Sequence, residues 1–362
     1  MPTLPVRPTL RLVRSRRLVR AHRLVIASGA ALTATMLLAS CSGQTAATTP
    51  SADPDAATVA LLYGTTGDYS IMDGGYSGFT AAQEKLGFNP VELSSPNTDD
   101  YQDRLDLAVS QGADLAVGIG FQFAQPMQST EHPDTAFVDV DTDIGTEIDG
   151  VTTISFAANE SSYLVGVAAA LTSTTGHIGF VGGVDQPSIQ NFFVGYEAGA
   201  KSVDPSITID STYLSPLGDF TGFSDPTKGK EAAASMYAGG ADVVYAAAGG
   251  SGQGVYEQAA ESSTPDSKVW AIGVDGDAYE QVDDNIKPYI LTSALKNVDV
   301  AVEDVITAFD AGALETGEQV FDLETGGVGY STSGGFVDGI TDQLDEAETS
   351  IVDGDVTVPT AL

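Results

Sequence analysis

The chain has little cysteine, histidine, tryptophan or positive charge, and each shortage narrows what it can be. A single cysteine, Cys41, in 362 residues leaves no intramolecular disulfide to hold a fold together. Of three histidines only His132 and His177 follow residue 40, and neither has a ligand-like spacing, so no metal site is expected. Fifteen Lys and Arg face fifty Asp and Glu, a formal net charge of −35. Seven of those fifteen (Arg7, Arg11, Arg14, Arg16, Arg17, Arg20 and Arg23) precede residue 24, so the remainder sets eight basic residues against all fifty acids. Such a surface repels nucleic acid and anionic headgroups, and it disfavours phosphorylated ligands unless backbone amides hold them. No long, clean apolar run is present either. Leu24 to Leu38 is short and broken by Ser28, Gly29 and two threonines, a poor transmembrane helix.

That short run reads instead as part of an export signal. A basic segment, an apolar stretch and the small residues Ala39 and Ser40 lead to Cys41, the order lipoprotein signal peptidase requires. Residues 1–40 are therefore read as a lipoprotein signal peptide. Cys41 becomes the acylated first residue of a chain anchored on the extracytoplasmic face of the cell membrane. Ser15, Arg16 and Arg17 leave the route, Sec or twin-arginine, open. Residues 41–57 are rich in Thr, Ala, Pro and Asp without apolar periodicity, and read as a flexible tether.

Beyond residue 57 short apolar runs alternate with longer amphipathic ones. Strands are expected at Val59 to Tyr63, Leu115 to Ile119, Ala136 to Val140, Ile178 to Val181, Ile207 to Tyr213 and Val243 to Ala247. Helices are expected at Gly78 to Leu86, Tyr101 to Gln111, Ser161 to Leu171, Phe192 to Ser202 and Gly229 to Ala238. This alternation implies α/β architecture with parallel sheets covered on both faces. The halves echo each other: Gly112-Ala113-Asp114 before one apolar strand matches Gly240-Ala241-Asp242 before another, and Gly75-Tyr76 matches Gly195-Tyr196. A repeat of this kind suggests two similar lobes, with a longer connection at Leu214 to Thr227 in the second. Glycine-rich strand ends, at Gly64 to Asp68, Gly118 to Phe121, Gly182 to Asp185, Gly249 to Gly252 and Asp275 to Asp277, would let a ligand approach backbone closely. Lobes with facing strand ends make a cleft that closes by a hinge.

Several stretches in order resemble the basic membrane protein family, the purine-nucleoside receptor type of substrate-binding lipoprotein for ABC transporters. They are GFVGGVDQP from Gly179, SDPTKGKE from Ser224, AGGSGQGV from Ala248, WAIGVDGD from Trp270 and LTSALK from Leu291, with Phe156, Glu160, Tyr163, Leu164 and Gly166. The resemblance implies a type I periplasmic-binding-protein fold, two Rossmann-like parallel-sheet lobes joined by a three-crossover hinge. It sets the first lobe at 58–158, completed by about 294–322, and the second at 159–293, completed by about 323–362. It also implies a monomer without cofactor that presents a nucleoside, a purine above all, to an ABC permease and its ATPase.

The ligand's chemistry fits named residues. A ribose diol suits one carboxylate accepting two hydroxyl protons, and a purine suits an aromatic sandwich. The resemblance puts the ribose-binding carboxylate at Asp275 with Lys296 beside it, and backbone contacts at Gly249 and Gly250. It puts the sandwiching rings at Tyr76 and Phe223 and a contact to the base edge at Asp68. Phe121 is a further wall candidate. Each residue also has a plainer reading: a helix cap for Asp275, an exposed lysine, a glycine turn, packed rings, a turn aspartate. The family's Asp-x-Ser-Phe-Asn is Asp68-Tyr69-Ser70-Ile71-Met72 here, without the ring and the amide, which leaves base choice open.

Enzymatic readings find little support. Gly249 to Gln253 falls short of a nucleophile elbow, Gly250 to Gly254 lacks the full dinucleotide-loop spacing, and no P-loop occurs. Acidic pairs such as Asp99-Asp100 and Asp283-Asp284 read as solvated loops. A flavin or sugar receptor, a sensory lipoprotein and a carboxylate-based nucleoside hydrolase stay as alternatives.

Overall fold

The computed structural model describes residues 56–67, 71–95, 100–129 and 134–361. The signal peptide, Cys41, the tether as far as residue 55, Asp68 and His132 lie outside the described residues. Along the chain, β1 (Thr58–Tyr63), α1 (Ile71–Leu86), β2 (Asn89–Ser94), α2 (Tyr101–Ser110), β3 (Leu115–Ile119), α3 (Ala124–Ser129), β4 (Ala136–Thr142) and β5 (Val151–Phe156) build a first lobe. A second lobe follows with α4 (Ala158–Thr172), β6 (His177–Val184), α5 (Pro187–Val203), β7 (Thr208–Ser215), α6 (Pro226–Gly239) and β8 (Val243–Ala247). It continues through α7 (Gly252–Ser262), β9 (Trp270–Asp275), α8 (Ala278–Gln281) and β10 (Ile290–Lys296). Then α9 (Val298–Asp310) and β11 (Gly317–Phe321) return to the first lobe, and β12 (Val328–Tyr330) and α10 (Thr341–Val352) to the second.

Among the described residues the strands form two six-stranded sheets, β11-β5-β4-β3-β1-β2 and β12-β10-β9-β8-β6-β7. Read position by position these are one topology used twice. β3 and β8, which carry the two Gly-Ala-Asp repeats, occupy the same place, and so do β4 and β9. Each repeat glycine takes a left-handed backbone at the end of the preceding helix, Gly112 at φ 78° and Gly240 at φ 106°. Each repeat aspartate ties down the entry to its lobe's first strand: Asp114 accepts from Thr58 N at 2.8 Å and Asp242 from Thr174 N at 2.6 Å. The lobes differ at one edge, where β11 pairs parallel with β5 but β12 pairs antiparallel with β10.

The chain passes between the sheets after Phe156, after Lys296 and after Phe321. The second pass comes slightly later than the expected boundary at 293, because β10 stays paired with β9 through Leu295 and with β12 through Lys296. The central strands are apolar throughout, as sheets covered on both faces require: β3 and β8 are buried along their whole length.

Helices next to the crossovers pack at backbone distance. A Cβ on Gly199 of α5 would overlap the carbonyl oxygen of Tyr163 on α4, and one on Gly195 would overlap that of Asn159. In the first lobe Gly78 of α1 meets Asp299 of α9 in the same way. These contacts set the sign of a substitution. Gly→Ala inside a helix normally stabilises by up to about 1 kcal/mol, but overpacking costs about 1–3 kcal/mol. Gly199→Ala is therefore expected to destabilise, while Gly239→Ala in α6, whose nearest neighbour would be 4.0 Å away, is expected to be neutral or mildly stabilising. Equal midpoints for the two variants in urea denaturation would show that α4 and α5 have room to separate.

Candidate functional site

The carboxyl ends of both sheets face a cavity of about 300 Å³. On the first lobe its walls are Ile71 and Met72 from the start of α1, Phe121 and Gln122 after β3, and Asp141, Thr142 and Asp143 at the end of β4. On the second lobe they include Ile189, Asn191 and Phe192 of α5, Phe223, Gly249, Gly250, Asp275 and Lys296.

Lys296 is the electrostatic centre. Its ammonium lies 2.7 Å from Asp141 of the other lobe and 3.8 Å from Asp275 of the neighbouring strand, with the side chain only 9% exposed. The rings of Phe192 and Phe156 flank it at 4.9 and 5.8 Å. Burial pulls the ammonium toward neutrality, but the carboxylates of Asp141 and Asp275 outweigh it and hold the pKa above the ordinary lysine value. Lys296 therefore stays charged, and its carboxylate neighbours outnumber it.

The two carboxylates reach this point by the same backbone device. Asp141 at φ 70° and Asp275 at φ 62° are the only non-glycine residues of positive φ among the described residues. Each lies at the carboxyl end of the equivalent strand of its sheet, Asp275 last in β9 and Asp141 next to last in β4, and at Asp141 the register with β5 slips by a residue. A left-handed backbone costs most side chains about 1–2 kcal/mol, and aspartate tolerates it better than most. Strain of this kind gathers at functional sites.

The second-lobe wall is built from the backbone outward. Ser251 Oγ donates to Gly222 O at 2.7 Å and accepts from Asp225 N at 2.8 Å, tying the loop after β7 to the turn after β8. The Phe223 ring lies so close to Gly183 that a Cβ there would overlap it, and Gly249 at φ 53° runs beside it. From the first lobe Phe121 meets Phe220 of this loop with ring centroids 5.8 Å apart.

Of the residues singled out in the sequence, Phe121, Phe223, Gly249, Gly250, Asp275 and Lys296 thus come together around one cavity. Tyr76 does not. It lies one helical turn, about 6 Å, beyond Met72 along α1. There it is 36% exposed, with its ring 5.7 Å from Tyr63 and its phenol pKa raised by Glu92. The first-lobe walls are Ile71, Met72 and Phe121 instead. Asp141 was not singled out, although Val140-Asp141-Thr142-Asp143 repeats the pattern of Val274-Asp275-Gly276-Asp277. Asn191 and Gln122 carried no motif.

Under this floor, two residues before Asp141, lies Asp139, fully buried with no partner for either carboxylate oxygen among the described residues. Desolvation, reinforced by Asp141, pushes its pKa well above the usual carboxylate range.

The family model for Bmp, described as ABC transporter substrate-binding protein PnrA-like, matches residues 56–361. The chain is 38% identical over 286 residues to the ABC transporter nucleoside-binding protein BmpA of Lactococcus lactis subsp. cremoris, spanning 76% of this chain and 79% of that protein. It is 37% identical over 278 residues to a CD4+ T-cell-stimulating antigen of Listeria monocytogenes, spanning 74% and 76%. Among solved structures, an ABC transporter solute-binding protein of Aeropyrum pernix K1 aligns with a TM-score of 0.71 at 25% identity, covering 84% of this chain and 94% of that one. The expected type I periplasmic-binding-protein architecture, two α/β lobes around a cleft, is the fold observed. Among the described residues no helix is long and apolar enough to cross a membrane.

The buried Asp139 makes a pH-dependent prediction. Its folded pKa lies above the unfolded value, so its contribution to stability is complete below the ordinary carboxylate range and is lost as pH rises through the folded pKa. Asp139→Asn removes that titration. The stability of the natural protein relative to the variant should therefore fall as pH rises above the ordinary carboxylate range in urea titrations. A gap that does not change with pH would mean that Asp139 ionises normally.

Proposed function

The chain belongs to the Bmp family of PnrA-like ABC transporter substrate-binding proteins, and from that premise we propose that it captures a nucleoside, preferentially a purine nucleoside. In this reading the protein is a monomeric lipoprotein, acylated at Cys41 on the extracytoplasmic face, that hands its ligand to an ABC permease and its ATPase. It binds and releases without covalent chemistry.

The observation that carries the reading is the Asp275 carboxylate, held into the cleft beside Lys296 with Phe223 on the adjoining wall. A carboxylate so placed accepts both hydroxyl protons of a vicinal diol, and such charge-assisted bonds are stronger than neutral ones. The base then lies against Phe223 on one side and the Ile71, Met72 and Phe121 wall on the other. An offset ring contact adds about 0.5–1.5 kcal/mol beyond area burial. Asp141, Asp143 and Asp275 outnumber Lys296 at the cavity, which favours a nucleoside over its phosphate ester. The three crossovers supply the hinge, and a ligand touching both lobes shifts the equilibrium toward closure.

Calorimetric titration of the purified protein, unfolded and refolded to strip carried-over ligand, tests this. With adenosine, guanosine, inosine, uridine, riboflavin and ribose as titrants, tight binding is expected for one or more purine nucleosides and none for ribose. Binding of riboflavin alone, or of ribose alone, would reject the nucleoside reading. Asp275→Asn keeps the left-handed backbone and removes the charge, so affinity for the preferred nucleoside should fall by about 1.5–3 kcal/mol. Phe223→Ala should weaken it by about 1–3 kcal/mol.

A further inference from the structure

Three of the five methionines, Met72, Met127 and Met236, lie among the described residues, and they differ in what they touch. Met127 of α3 is 2% exposed and Met236 of α6 is 6% exposed, and both pack inside a hydrophobic core. Met72, in the first turn of α1, is only half-buried and lines the ligand cavity. It stands where the family's motif carries an amide. Its thioether is held at the carboxyl ends of two strands. Sδ accepts a hydrogen bond from Gly64 N, just after β1, at 3.2 Å. A Cβ on Gly64 would lie 3.4 Å from the Met72 methyl, and one on Gly120, just after β3, 3.5 Å from it. A thioether sulfur is soft and polarisable, a weak hydrogen-bond acceptor that peroxides oxidise readily where they can reach it.

We propose that Met72 is an oxidation site inside the cleft, converted by hydrogen peroxide to the sulfoxide, and that the sulfoxide weakens ligand binding; the effect on binding rests on the nucleoside reading above. The thioether sulfur attacks one peroxide oxygen. An S–O bond forms, the O–O bond breaks, and the sulfur gives up two electrons. The second oxygen leaves as hydroxide and takes the proton of the first to become water. Burial keeps Met127 and Met236 from the same fate. The first-lobe wall of Ile71, Met72 and Phe121 is apolar, and oxidation puts a polar S–O group into it. If the new oxygen faces the ligand, a flat base pressed on that wall strips its water without replacing the hydrogen bond, which costs affinity. If the oxygen instead takes over the Gly64 N–H, the sulfur is pushed away from β1 and the wall changes shape. A bound ligand covers the same wall, so occupancy shields Met72 while oxidation penalises occupancy. Reduction of the sulfoxide restores the original surface.

The test exposes the refolded protein to hydrogen peroxide and follows each methionine by peptide mass spectrometry, with and without the tightest-binding of adenosine, guanosine and inosine. Met72 is expected to gain its oxygen at least about tenfold faster than Met127 and Met236, and the nucleoside to slow it. Calorimetric titration of the protein oxidised at Met72 should show about tenfold weaker binding, restored by methionine sulfoxide reductase. Met72→Leu alters the wall and has an affinity of its own, but that affinity is expected not to move on exposure to peroxide. A peroxide-induced loss as large in Met72→Leu as in the natural protein would place the damage elsewhere and overturn the inference. So would oxidation of Met127 or Met236 as fast as Met72, or a Met72 sulfoxide that binds as the natural protein does. A natural protein that binds no nucleoside overturns the nucleoside reading and the effect on binding with it, while the order of oxidation is still decided by the peptides.

Discussion

One ammonium group, on Lys296, sits where the two lobes meet, and the geometry of the cleft is organised around it. The group belongs to the second sheet, yet its shortest contact is to Asp141 of the first. A buried ion pair gains little net stability over apolar packing, because desolvation offsets most of its Coulomb attraction, but losing one partner costs about 3–5 kcal/mol. The pair is therefore weak as glue and strong as a register. It fixes how the end of β4 meets the end of β10, and so fixes the distance across the rear of the cavity. Phe121 and Phe220 make a softer contact between the same lobes, a tilted pair of rings.

Duplication explains how so asymmetric a charge arrangement arises from so symmetric a frame. The sheets share one strand order, and β4 and β9 carry matching aspartates near their carboxyl ends in matching left-handed conformations. What differs is the next strand toward the edge. β5 ends at Phe156 and leads to α4, whereas β10, its counterpart, ends at Lys296. One lysine thus serves two carboxylates, and the cavity is lined by more carboxylates than cations. The glycines that let α5 lie on α4 and α1 on α9 keep each crossover helix tight against its lobe, so closure is expected to move whole lobes rather than helices within them.

Much of this was legible in the residues, and the failures have physical causes. Strands with continuous apolar runs, such as β1, β3 and β8, announce themselves because both sheet faces are covered. β2 does not, since Pro90 demotes it, and it proves to be an edge strand, where proline is tolerated. β5 is hidden by its composition: Thr152, Thr153 and Ser155 are buried, yet they hand their hydroxyl protons to Glu315 O, Thr146 O and Glu318 Oε1. Tyr76 lies off the cavity, since spacing from a loop says nothing about how far along a helix a cavity reaches. Asp141 was overlooked although its Val-Asp-x-Asp repeat was in plain view.

Affinity and choice therefore draw on different parts of the cavity. Charged groups that satisfy one another, Lys296 with its carboxylates, set the shape and sign of the site before any ligand arrives, and they favour polar, uncharged molecules as a class. Apolar surfaces from Ile71, Met72, Phe121 and Phe223 reward a flat ring but barely distinguish one base from another, because every base has a stacking face. Discrimination by hydrogen bonding is far sharper, since a wrong partner leaves a buried group unmet.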